Sequence, residues 1–195
     1  MLYSVAKFFF HLYYVLFYRV KVTGRENIPT SGSILLYANH PSAMDVFFIA
    51  VFMKRKIHYM AKVELFKNPI LAFLLKRVGA FPISRGKGDV GSVKTVFKLL
   101  QHGKVVGVFP EGTRTPKKDP SKRKAGAAML ALHSNTPILP VGIKWNKRWF
   151  SMIELVFGES FTIPSKQEGE HTSKEELLEA TNKIMDKIYG LIGQA

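Results

Sequence analysis

Residues 34–45 read ILLYANHPSAMD. The apolar run from Ile34 to Tyr37 is of the length and composition of a buried strand. Asn39, His40 and Pro41 interrupt it, and Asp45 stands five positions after the histidine. Proline suits the first position of a helix, so the stretch predicts a strand, a turn at His40 and a helix over 42–53. On a regular helix a five-residue step rotates through about 500°, which would not stack the two side chains. The turn itself must therefore bend His40 and Asp45 together. Once paired, the carboxylate would select one imidazole tautomer and stabilise the protonated ring, the orienting role of the acid in a Ser-His-Asp triad. The plainer alternative is a His–Asp hydrogen bond that only ties a loop.

The alternation continues on both sides. Short runs rich in Val, Ile, Leu and Phe predict strands at 19–23, 33–37, 57–60, 79–83, 105–109, 138–143 and 152–157. Helices are expected at 42–53, 65–76, 89–102, 122–134 and 174–192, the last opened by a Ser173/Glu176 capping box. This pattern predicts an α/β fold, a single domain with a mixed, largely parallel sheet flanked by helices. A chain of 195 residues, 47% of them hydrophobic, suffices for one such core. Cysteine is absent, which excludes disulfides, thiolate metal sites and a cysteine nucleophile. No metal-ligand cluster is visible either, so neither a metal nor a cofactor is expected.

The formal net charge is +15, unevenly spread. Residues 165–195 hold four lysines and six acids, a balance of −2, so residues 1–164 carry +17. Such a field attracts nucleic acid, anionic lipid or acidic proteins. The N-terminus favours lipid. Residues 2–20, LYSVAKFFFHLYYVLFYRV, are dense in aromatic and aliphatic side chains, yet Lys7 and Arg19 bound a lysine- and arginine-free stretch of only residues 8–18. A membrane span needs roughly 20 apolar residues. Lys7, His11, Tyr14 and Tyr18 share one helical face and Phe8, Val15 and Leu16 the other. Residues 1–20 are therefore expected to form an amphipathic membrane-interface helix with its tyrosines at headgroup level, ahead of a domain at 21–195. A secretory signal is disfavoured because YRVKV, 18–22, offers no small-residue cleavage site. A core helix is the rival reading.

In parallel sheets, ligands bind beyond the carboxyl ends of the strands. There the chain places His40 and Asp45, then Lys62, then Ser84 and Arg85, then Glu111, Thr113 and Arg114. Arg114 offers a planar fork of donors that suits phosphate, Thr113 a hydroxyl, and Gly112 close backbone approach. Arg85, between Ser84 and Gly86, reads as a further anion contact. Glu111 either orients Arg114 or hydrogen-bonds a substrate hydroxyl. No G-x-S-x-G elbow surrounds Ser42, so an imidazole base without a protein nucleophile implies that the substrate supplies a hydroxyl. The cations imply that this substrate carries phosphate.

The blocks NHPSAMD (39–45), GAFPISRG (79–86), VFPEGTRT (108–115) and ILPVGI (138–143) are similar in order and rough spacing to the four blocks of the glycerolipid acyltransferases, over about residues 20–160. The chain most resembles bacterial lysophosphatidate acyltransferases. That resemblance implies transfer of a fatty acyl group from acyl-CoA or an acyl carrier protein to the hydroxyl of 1-acylglycerol 3-phosphate (lysophosphatidic acid). The product would be phosphatidic acid for phospholipid biosynthesis. His40 would be the base, Asp45 its orienter, and Arg85, Gly112, Thr113 and Arg114 would bind the glycerol phosphate, with Glu111 supporting. Pro140 falls in the block associated with the acyl chain. Lys62 lies outside the blocks and is added on its position alone. Pro41 is also found among glycerol-3-phosphate acyltransferases, an alternative acceptor class. The expected partners are an anionic membrane surface, at its cytoplasmic face, and a thioester donor. A non-catalytic basic membrane- or RNA-binding module would explain the charge equally well, but gives no reason for His40 and Asp45. A nucleic-acid partner is not expected, since aromatics concentrate at the N-terminus and do not interleave with the basic residues.

Overall fold

The computed structural model describes residues 2–84, 89–146, 148–164 and 172–194. Among these residues thirteen α-helices and strands follow one another: α1 (Leu2–Phe17), β1 (Arg19–Thr23), β2 (Ile34–Ala38), α2 (Asp45–Phe52), β3 (Ile57–Lys62), α3 (Pro69–Val78), β4 (Phe81–Ile83), α4 (Val90–Gln101), β5 (Val105–Val108), α5 (Ala125–Ser134), β6 (Ile138–Trp145), β7 (Met152–Phe157) and α6 (Lys174–Gly190). The strands form one sheet in the order β1-β7-β6-β2-β5-β3-β4. Every neighbouring pair is parallel except β6 with β7. The expected mixed, largely parallel α/β architecture is the one observed.

β2 lies inside the sheet, and all five of its residues are buried. That is why its sequence is apolar without alternation. Ile34, Leu36 and Ala38 join a core beneath α1 and α2, with Tyr14, Phe48 and Ile49. Leu35 and Tyr37 join the core on the opposite face, with residues of α4, α5 and α6 such as Val96, Leu130 and Ile188. Local signals set the helix starts. Asn68 caps α3 ahead of Pro69, Asp89 accepts from Ser92 N at the start of α4, and α6 opens with the complete Ser173/Glu176 box.

Two expectations change. Pro41 does not open a helix: residues 41–44 form a turn, and α2 begins at Asp45. The tyrosine face of the N-terminal helix also departs from expectation. Tyr14 and Tyr18 are buried in the core, not at a headgroup level. The Tyr14 hydroxyl donates to Met44 O at 2.9 Å, and Lys7 Nζ donates to Met53 O at 2.7 Å, so the polar groups of this face are satisfied by the domain. The apolar side, with Phe8, Phe9, Val15 and Leu16, faces outward. Among the described residues, no helix is long and apolar enough to cross a membrane.

Candidate active site

β2 delivers His40 to the carboxyl edge of the sheet, and the following turn closes on itself. Asp45 N donates to Ser42 O, while Ser42 N donates to Asp45 Oδ2 at 2.7 Å. The carboxylate is thereby folded back, and His40 Nδ1 lies 2.8 Å from Asp45 Oδ2. Asp45 is fully buried, whereas the His40 side chain keeps 14% exposure. With the carboxylate as acceptor, the proton stays on Nδ1, which donates to Asp45 Oδ2, and Nε2 is the basic nitrogen. The turn thus solves the stacking problem that a helix could not.

The His40 backbone is gripped from both sides. Its N–H donates to Glu111 Oε2 at 2.9 Å, and its carbonyl accepts from Thr115 N at 2.8 Å. Glu111 Oε1 in turn accepts from the Tyr189 hydroxyl at 2.6 Å. Glu111 is buried and faces inward: its oxygens take the His40 N–H and the Tyr189 hydroxyl, not Arg114, so that it supports the His40 backbone. Burial pushes its carboxyl above the usual value, against the pull of Tyr189 and of the His40 N–H. The His40 ring stacks on Phe109 with centroids 4.0 Å apart, and Phe109 stacks on Tyr59. Tyr59 fits because residue 107 is glycine; a Cβ there would collide with its ring. Asn39 pins the end of β2 to β6, donating to and accepting from the Ile143 backbone.

The loop after β5 passes over this edge. Gly112 adopts φ +64, a conformation that glycine takes without strain. Thr113 and Arg114 are exposed, as is Lys62 at the end of β3. The four parallel strands β2, β3, β4 and β5 therefore bring their loops to one edge, as the alternation predicted. Ser84 reaches the same edge and donates its N–H to Asp89 Oδ2 at 2.7 Å. That bond, together with Ser92, holds the Asp89 carboxyl down at about 2. Arg85 lies outside the described residues. Pro140 is not brought to this edge: it sits buried within β6, against Gly158. Arg123, in the basic run Lys122–Lys124, is buried and pairs with Asp186 and Asn182 on α6.

An apolar cavity of about 290 Å³ opens between α1, α2, β3 and α3. Its wall includes Phe10, Ala43, Val46, Tyr59, Met60 and Leu75. Ala43 and Val46 stand three and six positions after His40, and Tyr59 belongs to its ring stack. Phe109 was legible in principle, as the residue before Pro110 in the VFPEGTRT block. Tyr189 announced itself only as the neighbour of Ile188 on the apolar side of α6, and nothing local pairs it with Glu111, 78 residues away.

The edge of a largely parallel sheet thus carries an imidazole oriented by a buried carboxylate, a pair that can act as a general base. The chain belongs to the acyltransferase family, whose model matches residues 19–144. It is 35% identical over 178 residues to the 1-acyl-sn-glycerol-3-phosphate acyltransferase of Bacillus subtilis, covering 88% of this chain and 87% of that one. The enzyme of the same name from Borreliella burgdorferi is 29% identical over 148 residues, 74% of this chain and 58% of its own. In three dimensions the chain is similar to the crystal structure of the 1-acyl-sn-glycerophosphate acyltransferase PlsC from Thermotoga maritima. The TM-score is 0.73 at 27% identity, over 98% of this chain and 78% of that one.

Proposed function

We propose that this acyltransferase moves a fatty acyl group from a coenzyme A or acyl carrier protein thioester to the free hydroxyl of 1-acylglycerol 3-phosphate, with His40 as general base. The observation that carries the reading is the 2.8 Å His40 Nδ1–Asp45 Oδ2 contact. No serine or threonine hydroxyl is hydrogen-bonded to that ring among the described residues, and Ser42 Oγ instead accepts from Met44 N. The nucleophile must then come with the substrate. Nε2 of His40 takes the proton of the acceptor hydroxyl as its oxygen attacks the thioester carbonyl carbon. The tetrahedral oxyanion collapses, the carbon–sulfur bond breaks, and the imidazolium returns the proton to the leaving thiolate. Asp45 stabilises the imidazolium while it exists.

Residues 112–114 and Lys62 are assigned to the acceptor phosphate, and Arg85 by its place in the matching block. The acyl chain is assigned to the apolar cavity beside Ala43. The exposed apolar side of α1, continued by Ile70 and Phe73 on the neighbouring α3, is assigned to the membrane in which acceptor and product reside. The basic surface then favours anionic lipid and an anionic donor.

The test is product analysis with labelled acyl-CoA and labelled acyl carrier protein thioester, each offered with 1-acylglycerol 3-phosphate, with glycerol 3-phosphate, or with no acceptor. Labelled phosphatidic acid in the first arm is expected. Release of free fatty acid at the same rate without acceptor would make the protein a hydrolase, and product in the second arm alone would change the acceptor.

A further inference from the structure

The turn that joins β6 to β7 opens on the same sheet edge as His40, because β6 runs parallel to β2. Asn39 is bonded to the Ile143 backbone, so the turn leaves the sheet close to the point where the His40 segment is pinned. Residues 144–150 read KWNKRWF, three cations and three aromatic rings with no acid among them. Trp149, Phe150 and Arg148 are exposed, and Arg148 forms no ion pair among the described residues. Phe150 adopts φ +58. The only other non-glycine with a positive φ among the described residues is Asn135, a type that tolerates it. A bulky ring in that conformation is strained, and here the strain secures no burial. The turn is nevertheless fixed around the rings. Phe150 N donates to Phe17 O at 2.8 Å, Arg19 N to Ser151 O at 3.0 Å, and Ser151 Oγ to Arg148 O at 2.6 Å. The Trp149 ring stacks on Tyr18 at 5.8 Å and meets Phe17 edge-on at 5.1 Å. Two aromatic side chains are thus held outward by a built turn.

We propose that Trp149 and Phe150 form a second membrane contact, which inserts into an anionic bilayer and holds the His40 edge of the sheet against it. The assignment rests on the membrane reading of α1 above and adds a separate place to it. Three observations favour lipid as the occupant. The rings of Trp149 and Phe150 touch Phe17, which joins the turn to the exposed apolar side of α1 at Val15 and Leu16. Tryptophan is stable at the boundary between headgroups and acyl chains, and the adjacent Arg148 would meet lipid phosphate there. The third observation is position. The exposed groups of α1 and α3 cover a face of the molecule, whereas this turn lies at the carboxyl edge, so it brings the site itself to the surface in which the acceptor resides.

The test uses the full chain and two variants. Vesicles are made of phosphatidylglycerol and phosphatidylcholine, with or without bromine in the acyl chains of the latter. Trp145 and Trp149 are the only tryptophans, and the Trp145 Nε1 is buried. Brominated vesicles should quench the wild-type emission, and Trp149→Phe should lose most of that quenching while it still floats with the vesicles. In Trp149→Ser/Phe150→Gly both rings are removed and the strained position receives the residue that suits it. Its thermal midpoint should not fall, and its vesicle partition constant should drop by about tenfold. Its rate on vesicle-embedded 1-acylglycerol 3-phosphate should drop with it, while the rate on a short-chain, water-dispersed acceptor stays unchanged. Undiminished quenching in Trp149→Phe, or an unchanged partition constant in the double variant, would overturn the proposal. An unchanged partition constant with a raised KM for the acyl carrier protein thioester would give the turn to that acidic protein instead. Wild-type protein inert on both acceptors ends the acyl-transfer reading, and the quenching still decides whether this turn enters the bilayer.

Discussion

The turn at residues 39–45 and the surface formed by α1 and α3 follow opposite physical rules. At the turn, polar groups are folded inward and bonded: Asp45 accepts from Ser42 N beside His40 Nδ1, and Glu111 accepts from His40 N and Tyr189. Burying such groups is tolerable only because each has a partner. On α1 the Tyr14 hydroxyl and the Lys7 ammonium bond to the domain, while on α1 and α3 large apolar groups are left outside. Phe8 and Phe9 are 64% and 63% exposed, and Ile70 is 73% exposed. A reaction centre needs a fixed geometry, which hydrogen bonds provide. A lipid surface needs apolar area without fixed geometry. One protein holds both because the sheet separates its carboxyl edge from the outer faces of its helices.

The contrast can be broken at its rigid end. His40→Ala removes the base, and kcat should fall by about 10²–10⁴ with the fold intact, since general-base catalysis contributes that much. A purified variant that keeps more than about a tenth of the wild-type rate would remove His40 from the chemistry. At the other end, Phe8→Ser/Phe9→Ser should leave thermal stability unchanged, because neither ring is in the core. Each phenylalanine is worth about 1.5–3 kcal/mol when buried in an apolar phase. Flotation with anionic vesicles should therefore fall by about a hundredfold in partition constant. Equal flotation of variant and wild type at low and high salt would move the membrane contact elsewhere.

Two smaller effects sharpen the comparison. Arg114→Ala should raise the acceptor KM roughly tenfold, as one charge-assisted contact at an exposed site predicts. A raised donor KM with an unchanged acceptor KM would reassign it. Tyr189→Phe removes a hydroxyl that stabilises ionised Glu111, at a cost of about 1–3 kcal/mol. The sign follows from burial. Glu111 is raised above its ordinary 4.5, so its contribution to stability is present below that value and lost as pH rises through the folded one. Without Tyr189 it rises further. The stability deficit of the variant should then be smallest below pH 4.5 and grow toward neutrality. Denaturant titrations at the two pH extremes measure it, and a pH-independent deficit would mean that the hydroxyl only packs.

Much of this molecule is written locally. The seven strands and the helices from α2 onward were legible because burial on both faces of a parallel strand forces an apolar run, and because caps such as Ser173/Glu176 act within a few residues. The juxtaposition of His40 with the loops after β3, β4 and β5 followed from parallel strands having their carboxyl ends on one side. Long-range pairing was not legible. Glu111 offered several partners to a reader of the chain, and only the packing of α6 against β6 and β2 brought Tyr189 to one oxygen, while the turn after β2 brought the His40 N–H to the other. Arg123 sat in a basic run that looked solvated, until α6 brought Asp186 and Asn182 to it. The orientation of α1 was undecided for a different reason: both its faces are aromatic, so periodicity defines two stripes without saying which is inward. The tertiary structure decided it by offering Met44 O and Met53 O to the Tyr14 hydroxyl and the Lys7 ammonium, and only the tyrosine–lysine face could use them.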